Sequence, residues 1–133
     1  MDEESFVILF LDDSAQRAVL AHERMSKEDA EKTIWCMTAE EAIVTLWDYR
    51  DRLDAVHLDH DLGGEEYVNT KREDCGMEVV RYLEKMSRDK PEEFEKLKAA
   101  KFVIHSWNSH AGPIMVDRLS KIGLDVEYKP FGM

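Results

Sequence analysis

Six consecutive apolar residues, Phe6-Val-Ile-Leu-Phe-Leu11, stop at the carboxylate pair Asp12-Asp13. A strand with one wet face alternates apolar and polar side chains, so an unbroken run predicts a strand covered on both sides. Shorter runs of the same kind follow at Thr33–Met37, Ala55–Leu58, Lys101–Ile104 and Val126–Tyr128. Longer stretches with helical spacing lie between them. Ser14 is a helix N-cap for Ala15 to about Met25, whose apolar stripe is Ala18, Val19, Ala21 and Met25. Thr38-Ala-Glu-Glu41 has the form of a capping box and precedes the stripe Ala42, Ile43, Leu46 and Trp47. A third helix begins at Gly76 with Met77, Val80, Leu83 and Met86 inward, and Pro91 to Ala99 adds a short one. A fourth starts at Ser109 or near Pro113, and Gly123 closes it. Strands alternating with helices predict a doubly wound, parallel α/β sheet in one domain, residues 1–133.

Composition narrows the partners. Eighteen Lys and Arg stand against 29 Asp and Glu, a net charge of −11, which repels phosphate backbones and disfavours duplex nucleic acid and anionic membranes. No apolar run approaches the ~20 residues of a membrane span, and the acidic start Met1-Asp-Glu-Glu-Ser5 argues against a signal peptide. Cys36 and Cys75 are too few for a disulfide framework and have no metal-type spacing, so a reducing cytoplasm is expected. A small acidic chain of this kind suits a bacterium or its phage.

In doubly wound sheets ligands bind beyond the carboxyl ends of the strands. The polar clusters of this sequence stand there: Asp12 and Asp13 after the first strand, Asp59, His60 and Asp61 after the third, His105, Ser106 and Asn108 after the fourth, Lys129 after the fifth. If the chain stays extended, Asp59 and Asp61 face one way and His60 the other. Carboxylates sharing one mouth repel by roughly 4 kcal/mol per pair at about 4 Å and an effective dielectric of about 20. A hard divalent cation relieves that repulsion. Oxygen ligands favour Mg²⁺, and neighbouring imidazoles extend the choice to Mn²⁺. Among the histidines, His57 is assigned to the core and His22 to an exposed helix face, His60 and His105 to the site, and His110 stands between surface and site. Trp35 and Trp47 are assigned to the core, Cys36 is read as a small buried hydrophobe, and Trp107 is the one placed to stack on a base. Lys71 and Arg72 serve either phosphate contacts or solubility.

The order Asp12-Asp13, Asp59, Ser106, Lys129-Pro130-Phe131 resembles the response-regulator receiver domain over essentially the whole chain. That resemblance implies a five-stranded flavodoxin-like sheet of order 2-1-3-4-5. It implies that Asp12 and Asp13 help hold Mg²⁺, that Asp59 accepts a phosphoryl group, and that Ser106 and Lys129 contact phosphate oxygens. The sequence departs from that pattern in several places. Gly63-Gly64 and a lengthened polar loop to Cys75 follow the acceptor position, Val126 replaces an aromatic residue, and the last helix is missing. Four of the five histidines also crowd the pocket. These departures are similar to the cyclic-phosphate-processing receiver-like subgroup, through Asp59-His60-Asp61-Leu62-Gly63 and His105-Ser106-Trp107-Asn108.

The expected function is therefore a metal-dependent phosphoesterase acting on a small cyclic phosphate, a nucleotide or an RNA end. Asp12, Asp13, Asp59 and Asp61 are the expected metal ligands. His60 or His105, with Asp59, does the chemistry, while Ser106, Asn108 and Lys129 hold phosphate oxygens. The alternative is a stand-alone phosphoacceptor charged on Asp59 by a histidine kinase, and a third class is a binder that leaves its ligand unchanged.

Overall fold

The computed structural model describes residues 6–62, 69–72 and 74–130. Gly63, Gly64, much of the loop that follows them, and Phe131 lie outside the described residues. Strands β1 (Val7–Leu11), β2 (Thr33–Cys36), β3 (Leu53–Leu58), β4 (Lys101–Ile104) and β5 (Asp125–Tyr128) form one parallel sheet in the order β2-β1-β3-β4-β5. The predicted doubly wound architecture is thus present, and no helix follows β5 among the described residues.

Helices α1 (Ala15–Arg24), α3 (Ala39–Asp48), α4 (Gly76–Asp89) and α6 (Ala111–Lys121) fall in the anticipated places, and Pro91 opens the short α5 (Pro91–Glu95). A 3-10 turn, Lys96–Ala99, completes the segment expected after Pro91. Their signals are visible locally. The Ser14 hydroxyl accepts the Arg17 N–H at 3.2 Å, Thr38 and Glu41 form the capping box, and Gly123 ends α6 at φ 95°, a conformation glycine adopts at no steric cost. Helix α2 (Lys27–Glu31) was not signalled: five residues are too few for a period.

The sheet has two unlike faces. Leu9, Leu11, Val56, Leu58, Phe102 and Ile104 join a core cluster with Ala42 and Leu46 of α3, Val80 and Leu83 of α4, and Met115 and Leu119 of α6. The alternate residues Phe10, His57 and Val103 share the other face, where the Phe10 ring meets His57 at 5.9 Å and His105 at 4.9 Å between centroids. On that face Ala18 and Ala21 of helix α1 border a cavity with Phe10, and no residue of the helix is completely buried.

Two expectations change here, those for Val19 and Trp35. Val19 is 57% exposed rather than buried, and it borders an open cavity between α1 and the sheet with Phe10 and Trp35. Trp35 is 43% exposed rather than core, since β2 is an edge strand and the indole Nε1–H is directed at the Asp12 carbonyl, 2.7 Å away. Trp47 is partly buried against the core, beneath the Arg50 guanidinium at 3.9 Å. Cys36 is buried as expected.

Candidate functional site

Backbone register builds the site. Leu11, Leu58, Ile104 and Tyr128 occupy one level across β1, β3, β4 and β5. One residue further, the ladder continues through Asp59 N–H to the Leu11 carbonyl (3.1 Å), His105 N–H to Leu58 (3.0 Å) and Lys129 N–H to Ile104 (2.8 Å). Asp12 donates likewise to Cys36 at 3.0 Å. Asp12, Asp59, His105 and Lys129 therefore stand in one row just beyond the sheet. Strands are about 4.8 Å apart, so three of these side chains meet: one ligand atom from each of Asp12, Asp59 and His105 lies within 4.8 Å of the others, and all three residues are buried.

Asp12 is wholly enclosed and heavily bonded. His105 Nε2 lies 3.0 Å from its Oδ2, Arg17 grips both its oxygens at 2.8 Å, and the Ser14 N–H donates to Oδ1 at 2.8 Å. Burial pushes its pKa up, but His105, Arg17 and Ser14 outweigh burial and hold it below the ordinary value. Asp59 has less help. Burial, with the Asp12 charge beside it, drives its carboxyl up to about 6, against the partial relief from His105 and Arg17. Asp13 is nearer the surface, 3.7 Å from Arg17.

Around this row stands a second network. His60 Nδ1 is 2.9 Å from Asp61 Oδ1, to which Asn108 Nδ2 also donates at 3.0 Å. The predicted opposition of His60 and Asp61 is thus replaced by contact, because the chain leaves the extended conformation after Asp59. Burial works to lower the His60 pKa, but the Cys75 thiol and Asp61 carboxylate outweigh it and the net shift is upward. Burial would raise the Cys75 thiol, yet His60 pulls it down. Asn108 Oδ1 accepts the His110 and Ala111 N–H groups at 3.1 and 2.8 Å, which caps α6. The Ser106 hydroxyl accepts the Asn108 N–H at 3.0 Å.

The sequence-level site is thus only partly assembled as drawn. Asp12, Asp59 and His105 converge, while Asp61, His60 and Asn108 form the adjoining network. The Lys129 side chain is exposed, and its charge reaches His57, helping burial and His105 to lower that imidazole to about 4. His57 packs on Phe10 with no place in the cluster, His22 and His110 are exposed, and Trp107 is 55% exposed.

Sequence reasoning overlooked Arg17. The signal was its place in the first turn after a capped strand end, from which a long side chain reaches back over the strand. Tyr128, whose hydroxyl donates to the Ser106 carbonyl at 3.0 Å, was also missed. So was Arg81, which donates to the Thr70 and Arg72 carbonyls at 2.6 Å and fastens the loop before α4.

A cavity of about 870 Å³ opens beside Asp13, with Met37, Ile43, Val44 and Leu62 as apolar lining and Glu40, Asp74 and Glu78 as further carboxylates. A smaller groove of about 450 Å³, lined by Trp47, Tyr82 and Met86, lies between α3 and α4 and contains none of the site residues.

The sheet order and the buried acids at the strand ends are those of a receiver-type α/β protein. The family model of the cyclic-phosphate processing receiver domain matches residues 7–121, and the chain belongs to that family. Solved structures share the fold. The Saccharomyces cerevisiae Ssk1 receiver domain, crystallised with the histidine phosphotransfer protein Ypd1, is 13% identical at TM-score 0.59 over 97% of this chain and 81% of that one. A CheY-like response regulator receiver domain from Methanospirillum hungatei is 15% identical at 0.56, over 97% and 83%. CheY in the Borrelia burgdorferi CheX-CheY-BeF3-Mg complex is 19% identical at 0.55, over 94% and 78%. No match is found among curated proteins. No helix among the described residues is long and apolar enough to cross a membrane.

Proposed function

We propose that this chain is a metal-dependent phosphoesterase that opens a small cyclic phosphate, acting in the cytoplasm. The observation that carries the reading is the buried convergence of Asp12, Asp59 and His105. A carboxyl pushed to about 6 by burial and a neighbouring carboxylate is one that a cation would stabilise in its ionised form, so the donor set fits a divalent metal. Asp12 and Asp59 would hold it, with Asp13 at the mouth, and Mg²⁺ or Mn²⁺ suits oxygen donors beside an imidazole. When bound, the cation supplies charge to offset a phosphodiester oxygen and lowers the pKa of water.

The protein's own groups then divide the proton work. Water oxygen attacks phosphorus, the ring P–O ester bond breaks, and His105 takes the water proton and returns it to the freed alkoxide, which leaves a phosphomonoester. His105 is assigned this step because its imidazole stands beside the carboxylates: Asp12 Oδ2 accepts from the Nε2–H, which leaves Nδ1 as the nitrogen that takes the proton. His60 is wholly enclosed and is instead assigned, with Asp61 and Asn108, to holding the strand ends in place. Ser106 and Lys129 are assigned to the phosphate oxygens. The cavity beside Asp13 takes the organic part of the substrate. Its carboxylates favour neutral, hydroxyl-bearing groups over further phosphates, which favours a mononucleotide over a longer RNA end.

Incubation with Mn²⁺ or Mg²⁺ and a panel of 2′,3′- and 3′,5′-cyclic nucleotides, followed by ³¹P NMR, tests the reading. Conversion to phosphomonoester by the wild type is expected. Loss of turnover is expected in Asp59→Asn, through metal binding, and in His105→Ala, with metal binding retained. No turnover across the panel, or turnover undiminished by Asp59→Asn, overturns it.

The fold shared with a receiver crystallised with its histidine phosphotransfer protein favours a second reading, phosphoryl acceptance at Asp59 from a histidine kinase. Acetyl phosphate with Mg²⁺ then adds one phosphate to the intact mass, and Asp59→Asn abolishes it. An unchanged mass removes this alternative.

A further inference from the structure

One guanidinium nitrogen lies among three carboxylates. Arg17 Nη2 is 2.8 Å from Asp12 Oδ1, 3.3 Å from Asp59 Oδ2 and 3.7 Å from Asp13 Oδ1, while its Nε holds Asp12 Oδ2 at 2.8 Å. With His105 on Oδ2 and the Ser14 N–H on Oδ1, every Asp12 oxygen is engaged twice. An oxygen so engaged has no outward lone pair to give a metal while Arg17 stays in place. Both cations would also claim the same point between the same acids.

We propose that Arg17 is an internal counter-cation that occupies the metal position and is displaced when a divalent ion binds. The proposal rests on the metal-dependent reading above. Charge arithmetic favours the exchange: the single positive charge of Arg17 faces the carboxylates of Asp12, Asp13 and Asp59. A divalent ion brings twice the charge. The side chain is 33% exposed and springs from the first turn of the short helix α1, so it has room to swing outward without disturbing the core. Lysine in its place would deliver a point charge without the two-pronged grip on Asp12. In the metal-free protein Arg17 spares the buried acids from facing one another unpaired, and in exchange it sets a threshold on metal affinity.

Calorimetric titration of Mn²⁺ into wild type, Arg17→Ala and Arg17→Gln tests the exchange directly. Removing the competitor is expected to tighten Mn²⁺ binding at least tenfold in both variants, with the metal-free variants melting below wild type and Mn²⁺ raising their Tm by more. In wild type, the ¹⁵N–¹H signal of the Arg17 side-chain Nε is expected to lose its ion-paired position as Mg²⁺ is added. Equal or weaker affinity in folded variants overturns the assignment alone. An Arg17 signal that is unmoved at saturating Mg²⁺ does the same even if neither variant folds. No metal binding by any of the proteins overturns both this inference and the metal-dependent function.

Discussion

The two faces of the sheet differ in what they bury. Under α3, α4 and α6 the face is uniformly apolar, with Leu9, Leu11, Val56, Leu58, Phe102 and Ile104 almost inaccessible. Under α1, the row Phe10, His57 and Val103 leads, two residues on, into Asp12, Asp59 and His105. Strand alternation makes these choices exclusive: a residue aimed at one layer is unavailable to the other. One face therefore supplies cohesion, and the other supplies chemistry at some expense of stability.

The largest effect is expected on the cohesive face. Phe102→Ala should cost about 3–5 kcal/mol in urea unfolding, and a loss below about 1 kcal/mol would contradict the contrast.

On the chemical face, Asp59→Asn should stabilise. The Asp59 carboxyl titrates near about 6 in the fold against 3.8 ordinarily, so its contribution is complete below the unfolded value and disappears as pH rises through 6. The metal-free variant should thus gain on the order of 3 kcal/mol over wild type near pH 8 and nothing in acid. Unfolding curves across that range check it, and saturating metal should erase the gain.

His57 works in the opposite direction. Its imidazole is held at about 4 against 6.5 ordinarily, so stability present above 6.5 is lost as pH falls through 4. His57→Gln should soften the loss between neutral and acid by about 1–3 kcal/mol, seen as a lower acid-unfolding midpoint. At the exposed Val19 of α1, Val19→Ser should change stability by no more than about 0.5 kcal/mol.

Much of this division was legible in the chain. The unbroken run Phe6–Leu11 announced a doubly covered strand, and the acids directly after it announced the site. The matching positions after the third and fourth strands gave Asp59 and His105, because parallel register carries equal places on neighbouring strands to equal heights. The rest depended on relations that periodicity does not carry. Arg17 went unnoticed although Ser14 marked the start of α1, because its grip on Asp12 is a side-chain contact that no spacing records. Trp35 reads as core until its N–H requires the Asp12 carbonyl. His60 and Asp61 read as opposed until the chain bends toward α4.

That bend is held by Gly76, whose N–H meets the His60 carbonyl at 2.8 Å and where a Cβ would stand 2.0 Å from the Asp59 carbonyl oxygen. The start of α4 is in effect welded to the peptide that carries Asp59. A side chain at position 76 would have to part the fourteen-residue helix from the peptide that carries the acid, so the spacing between them admits glycine alone.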